Sequence, residues 1–508
     1  MKIRSWAICV GLLLWALMAH AHVGSPDVYA EGQAGPYKLF VVVRPPLVIP
    51  GVADVEVRAQ AGGVDGIAIT PVPLTGDAAN HPPVPEQMQR SQNDAGFFTG
   101  HLWIMATGSW QIRLAVNGSH GSGVLSIPVP ATAIGTRRMT PGMGILLAAL
   151  GLLLVAGMVG IVGAAAREAR LPPGVQPAAS NRRNGYVAMA VALAVLVTGV
   201  VLGNVWWKAN AEDYSRYIYK PLQMTPALVH DNMLSLRLHD PGWLKQRKLD
   251  DLIPDHDHLM HLYMIRWPAM DVVAHLHPHP AATGEFQLSL PAIPAGTYRL
   301  YADVVHANGF PETIVGTIVL PAISGRALEA DDAVGFASPV ESGATDPGTH
   351  DVARRIYPRA FKFRLPDGYT MVWMNPVRIN PGTPAEFRFA LLDPAGQPPA
   401  DMGLYMGMLG HAAFVKTDGS AFAHIHPAGT VSMAAFMMAN PPAQTGTHEA
   451  MAMPGMPAMG GVQPTVPNLV SFPYGFPSTG AYRIFVQMKH GATIETGVFD
   501  ATTEPAAN

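Results

Sequence analysis

Histidines recur twice along this chain in one order and at one spacing. The first copy reads His258-Leu259-Met260-His261, then Val272-Val273-Ala274-His275-Leu276-His277-Pro278. The second reads Met408-Leu409-Gly410-His411, then Ala421-Phe422-Ala423-His424-Ile425-His426-Pro427. Each copy closes on a strand-like stretch that ends in histidine, 296–306 with His306 and 480–490 with His490. Matching positions keep histidine: His261 with His411, His275 with His424, His277 with His426, His306 with His490. The exception is His258, matched by Met408. Both residue types bind copper, so that exchange preserves a ligand while softening it.

The spacing has a spatial meaning. Asp418-Gly419 is a two-residue hairpin signal. A hairpin closed there sets His411 opposite His426, with His424 two residues away on the same face. Facing side chains lie ~5 Å apart, within reach of one ion. In the first copy a three-residue loop at Pro268-Ala269-Met270 sets His261 opposite His277. A slip of one residue would turn every ring to the other face. A single strand histidine is ordinarily a packed residue, and a proline after H-x-H can simply stop a ladder. Four matched histidines per copy favour a metal site at His258, His261, His275, His277, His306, Met408, His411, His424, His426 and His490.

Other candidates are weaker. Asp255-His256-Asp257-His258 reads first as a solvated loop, with an extension of the metal site as the alternative, and His279 reads as solvent-exposed. Cleavage after Ala21 would make His22 the mature terminus, whose amine and ring chelate copper in a histidine brace, with His101 or His120 as a further ligand. The sequence has one cysteine, Cys9, in the leader, so a cleaved chain has no thiol for a disulfide or a cysteine metal site. The 20 His and 26 Met are then the main soft-metal donors. Imidazole suits copper or zinc, and thioether selects Cu(I). A Met-rich, Pro-rich stretch from Met433 to Pro467, with Met437, Met438, His448, Met451, Met453, Met456 and Met459, reads as a flexible insertion and favours copper, with zinc as the alternative.

The elements that position these residues are mainly β. A basic start (Lys2, Arg4), an apolar core and Ala19-His20-Ala21 read as a signal peptide over 1–21. A β domain occupies 22–135, with strands about Tyr37–Arg44, 52–58 and 108–116 and a turn at Asn117-Gly118. Residues 142–165 and 186–207 are each long and apolar enough to span a bilayer. The loop between them, 166–185, carries Arg167, Arg170, Arg182 and Arg183 against Glu168, which places it in the cytoplasm. The flanking domains then face the extracytoplasmic side of the inner membrane. Two repeats follow, 221–322 and 360–501, joined by a linker at 323–355. The fold class is three Ig-like or cupredoxin-like β-sandwiches plus a two-helix transmembrane hairpin.

The first domain's run from Gly96 to Gly118, and in the second repeat Tyr405–Val415, 418–427 and 480–487, resemble the periplasmic FixH/YtkA-like β modules linked with copper and heavy-metal handling. The resemblance implies a β-sandwich, metal association and an envelope partner such as a metal transporter or an oxidase-assembly factor.

A net charge of −3 provides no field for nucleic acid. G-x-S-x-G and H-E-x-x-H are absent, so no enzyme class is indicated. The sequence therefore predicts a membrane-anchored, extracytoplasmic metal-binding protein for the capture, buffering or delivery of copper. The competing reading is an envelope assembly protein whose histidines are structural.

Overall fold

The computed structural model describes residues 27–504 apart from 61, 137–138, 173, 245, 326, 329, 341–360, 376–378 and 442–465. The leader, His22, His448 and the methionines at 451, 453, 456 and 459 lie outside the described residues.

The chain divides into two units, Ala133–Tyr219 and the remainder. The smaller unit holds two antiparallel-packed helices, α1 (Pro141–Glu168) and α2 (Ala179–Ser215). Both are long and apolar enough to cross a membrane. Two glycines set their approach: a Cβ at Gly185 would lie 3.1 Å from the Gly163 carbonyl oxygen, and one at Gly163 would meet Met189. Small residues are what allow such close helix packing.

The larger unit is mainly antiparallel β. Its first domain pairs a five-stranded sheet, including Tyr37–Arg44 and Gly51–Ala59, with a four-stranded sheet that includes Gly108–Gly118. The hairpin expected at Asn117-Gly118 turns at Ser119-His120 instead, since Gly118 pairs with Gly121. A side chain at Gly118 would strike the Gly63 carbonyl, which keeps that glycine in the ladder rather than the turn.

Each repeat is a sandwich of an outer and an inner sheet. In the first repeat the inner sheet contains β1 (His261–Trp267), β2 (Val272–Leu276), β3 (Gly296–His306), β4 (Pro311–Leu320) and β5 (Ala333–Phe336). In the second it contains β6 (His411–Lys416), β7 (Phe422–Ile425), β8 (Gly480–His490) and β9 (Thr493–Thr503). The connectivity matches: β3 lies between β1 and β4, as β8 lies between β6 and β9. The span expected to be a linker contributes β5, which covers the edge of β2 and so pairs its open backbone groups.

The inner sheets are buried on both faces, which explains why β1, β2 and β6 read as nearly continuous apolar runs. Leu262, Met264, Ala274 and Leu300 face the core of the first sandwich. The alternate residues Tyr263, Ile265, Val273 and Tyr301 form one cluster with Ala413, Val415, Phe422 and Phe485 of the second repeat. Tyr301 stacks on Phe422 with ring centroids 4.2 Å apart. Arg483 of β8 donates to the carbonyls of Met270 and Ser338 at 3.1 and 2.7 Å. The two inner sheets thus pack face to face, and their histidines share that face with this apolar cluster.

Met433–Ala439, expected within a flexible insertion, is a short helix, α3. Met433, Ala435 and Phe436 are buried, and the Ser432 hydroxyl caps the first turn by accepting from the Ala435 N–H at 3.3 Å. Asn440 ties its end to Ser126 of the first domain through two hydrogen bonds of 2.9 and 2.7 Å.

Candidate metal centre

The hairpin registers place the rings. In the second repeat Ala412 pairs with Ile425 and Ala413 with His424, so the ladder carried one step further sets His411 opposite His426. In the first, Leu262 pairs with Leu276 and Tyr263 with His275, which sets His261 opposite His277. Both registers are those the turn signals predict.

Face-to-face packing then merges the two sets. Ring centroids of His261 and His424 lie 5.4 Å apart, and those of His275 and His424 5.5 Å. Eight histidines from both repeats (His256, His258, His261, His275, His277, His411, His424 and His426) form one connected group through ring contacts.

Within it, two groups of three bring one ring nitrogen each to within 4.8 Å of one another: His261, His275 and His277, and His256, His411 and His426.

The first group is defined by its protons. His261 Nε2 faces the Asp255 carbonyl at 2.9 Å and must carry hydrogen. Its Nδ1 is then a lone pair. His275 Nδ1 lies 2.9 Å from Gln487 Oε1 and 3.1 Å from the Tyr405 hydroxyl oxygen. That hydroxyl donates to the Asp331 carbonyl at 2.8 Å, so its oxygen can only accept from His275. His275 Nε2 is therefore a lone pair as well. His277 Nδ1 donates to Asp332 at 3.0 Å, which leaves Nε2 as the third. Facing nitrogens of His261 and His275 lie 3.3 Å apart. Two nitrogens bound to one tetrahedral ion at about 2.0–2.1 Å each sit roughly 3.3–3.4 Å apart. An outer acceptor on the second nitrogen of every ring is the usual way a protein fixes a ligating histidine.

The second group has outer partners on two of its three rings. His426 Nδ1 donates to the Val431 carbonyl at 3.2 Å, and the His256 ring is hydrogen-bonded to the Met406 backbone. The Nε2 atoms of His256 and His426, and both ring nitrogens of His411, are buried with no hydrogen-bond partner among the described residues. His277 Nε2 and His424 Nε2 share that condition, while His258 Nε2 stands 3.5 Å from an Asp331 carboxylate oxygen. Buried polar atoms are normally paired, so such a concentration of open nitrogens at one place asks for a ligand.

The electrostatics favour neutral rings. Burial first, then the neighbouring imidazoles, hold His261, His277, His411 and His424 well below the usual histidine range. Burial lowers His275 to about 3 and His256 and His426 to about 4. Only the neutral imidazole has a lone pair for a metal.

His256 is the residue that sequence reasoning underweighted. It does not lie in a solvated loop. Asp255 and His258 close a tight turn in which His256 and Asp257 have φ of 50° and 68°. Tyr405 and Met408 close the same turn in the second repeat, with Met406 and Gly407 at 49° and 77°. The DHDH run is thus a left-handed turn, and it carries His256 across to His411 and His426. The repeat of D-H-D-H against Y-M-G-M, with glycine at one central position, was the signal available.

His306 and His490 do not join the others. His306 lies between Asp251 at 2.8 Å and Glu312 at 3.0 Å. His490 lies among Asp367, Asp401 and Glu495 at 3.7, 3.4 and 3.3 Å. On β3, Asp303 faces the histidine group through His424, and His306 is three residues on, which in a strand is the opposite face. The same interval separates Gln487 from His490. Met408 is buried at the turn position of His258, and both groups of three rings are complete without it. His258 stacks on His277 at 3.9 Å, and His424 bridges the two groups at their rim.

Residues 364–505 match a domain of unknown function, DUF8832. That span covers the second repeat with three of the eight grouped histidines, His411, His424 and His426. No curated protein matches the chain in sequence. Similar solved structures include a bacterial ice-binding adhesin of 1.5 MDa (7% identity, 89% of this chain and 90% of that one, TM-score 0.15). Another is a putative membrane anchored protein from Corynebacterium diphtheriae (10% identity, 95% and 97%, TM-score 0.14). A third is the E. coli alpha-2-macroglobulin (10% identity, 96% and 23%, TM-score 0.18). TM-scores at this level carry no argument about function.

Proposed function

We propose that this protein is a membrane-anchored, extracytoplasmic metal-binding protein that captures and holds copper for buffering or delivery. The observation that carries the reading is the set of unpaired, buried imidazole nitrogens between the two repeats. Neutral rings with fixed outer hydrogen bonds suit Cu or Zn alike. Copper is favoured because Met406 and Met408 stand at the second repeat's turn, where the first has His256 and His258.

The helices α1 and α2 supply the anchor, and the arginine-rich segment between them supports a cytoplasmic loop. The β unit would then work outside, where a metal-transporting or oxidase-assembling partner in the envelope could receive the ion. The likeness of the second repeat to YtkA-like modules agrees with that placement.

Metal analysis of full-length protein purified from its native membrane tests the reading. Copper at one or more equivalents per chain is expected. Folded protein that carries no transition metal and takes up none from added micromolar Cu(II) would contradict it.

A further inference from the structure

The two groups of three rings are too alike, and too separately built, to be one site. Each has three imidazoles with their own lone pairs, and each has its own outer acceptors: Asp255, Gln487 and Asp332 for one, Val431 and the Met406 backbone for the other. Between the groups the ring centroids of His256 and His261 lie 6.1 Å apart and those of His275 and His411 6.2 Å. We infer that the chamber takes two copper ions at once, one on His261, His275 and His277 and one on His256, His411 and His426. The inference rests on the metal-binding reading and extends it to number and arrangement.

Three rings form the ligand set at each centre. A tetrahedral or trigonal ion held by three histidines keeps a position open. Two such ions in adjoining centres interact magnetically when both are Cu(II).

His256 makes the second centre a joint product of both repeats. His411 and His426 belong to the second repeat, and their third ring arrives on the left-handed turn of the first. The second repeat's own residue at that turn position is Met406, and the ring nitrogen that meets those of His411 and His426 within 4.8 Å is that of His256 of the first repeat, although His424 of the second also touches both rings. The first centre, by contrast, draws all three rings from the first repeat and borrows only the outer Gln487 and Tyr405 from the second.

The test is Cu(II) titration of the full chain in detergent, read by stoichiometry and by electron paramagnetic resonance. Wild type is expected to bind two ions, with a spectrum broadened by coupling at full loading. His256→Asn is expected to bind one ion with an uncoupled Cu(II) spectrum, since asparagine tolerates positive φ at that position. His256→Met, the residue the other repeat uses in the same turn, serves if the asparagine variant does not fold. Wild type that saturates at one ion overturns the two-ion inference and leaves the metal-binding reading standing. Two ions retained in folded His256 variants overturns the assignment of His256. No binding at all overturns both.

Discussion

His275 of the first repeat donates through Nδ1 to Gln487 of the second at 2.9 Å, and His424 of the second meets Asp303 of the first at 3.2 Å. The two bonds are equivalents under the repeat. His275 matches His424, and Gln487 and Asp303 stand opposite His411 and His261 in their ladders. A rotation that exchanges the repeats exchanges the two bonds, and the histidine chamber lies around that axis. The outer partner of each central ring is supplied by the other repeat.

Outer-partner loss should therefore loosen the centre without removing a ligand. Gln487→Leu takes the main acceptor from His275 and is expected to weaken copper binding about 10–100-fold, with stoichiometry unchanged. Competition against a chelator of known affinity measures this. Unchanged affinity would show that Gln487 does not orient His275.

Proton linkage gives a pH prediction with a definite sign. The buried histidines have folded-state pKa values below the unfolded value of about 6.5, down to about 4 for His256 and His426 and about 3 for His275. Their stability contribution is fully present above pH ~6.5 and is lost as pH falls from there toward 4, because the unfolded chain takes up protons that the folded chain refuses. Asp303 and Glu495, raised to about 7 chiefly by burial, act in the opposite sense between about pH 4 and 7, as do Asp27 and Asp255, also raised by burial. They are fewer than the seven depressed histidines, so the net effect is acid destabilisation of the metal-free protein. Denaturant unfolding at pH 7, 6 and 5 should show a monotonic decline; a flat or rising profile contradicts the neutral, buried ring set.

The apolar part of the face holds the chamber together. Phe422→Ala removes the ring stacked on Tyr301 and should cost about 3–5 kcal/mol of stability. Copper capacity should fall with it, since the second centre needs both repeats. A destabilised variant that still binds two ions would show that the centres do not depend on inter-repeat packing.

His306→Gln and His490→Gln are the matching controls. Their rings are held by carboxylates away from the chamber, so copper stoichiometry there should be unchanged. A loss of a chamber ion in either variant would return these residues to the site.

Membrane orientation is open to a labelling test. Val175 is exposed between α1 and α2. Val175→Cys in a Cys9→Ala background should react with an impermeant maleimide only after the cytoplasmic side is opened. Labelling of intact cells would reverse the orientation.

Much of this was legible in the residues. Asp418-Gly419 and Pro268-Ala269-Met270 fixed hairpin registers that the ladders reproduce, because turn length and a period of two leave little freedom. The apolar runs around His261 and His411 fit the burial on both faces that the structure shows, a feature not drawn from the sequence. What stayed hidden depends on contacts between distant segments. Nothing local says that the inner sheets meet, so the sharing of rings between repeats had no signature. His256 was obscured by two flanking aspartates that look solvated, although Asp255 is buried and accepts from Ala434 N–H. His306 and His490 matched in sequence for a different reason, as partners of Glu312 and Glu495 on the opposite sheet face.

X-ray absorption at the copper edge of the fully loaded protein reads the ligands of the bound ions. Imidazole nitrogens at about 2.0 Å around copper, about three per ion, with the outer-ring scattering of histidine, are expected. A first shell of oxygen or sulfur without imidazole scattering would contradict that ligand set.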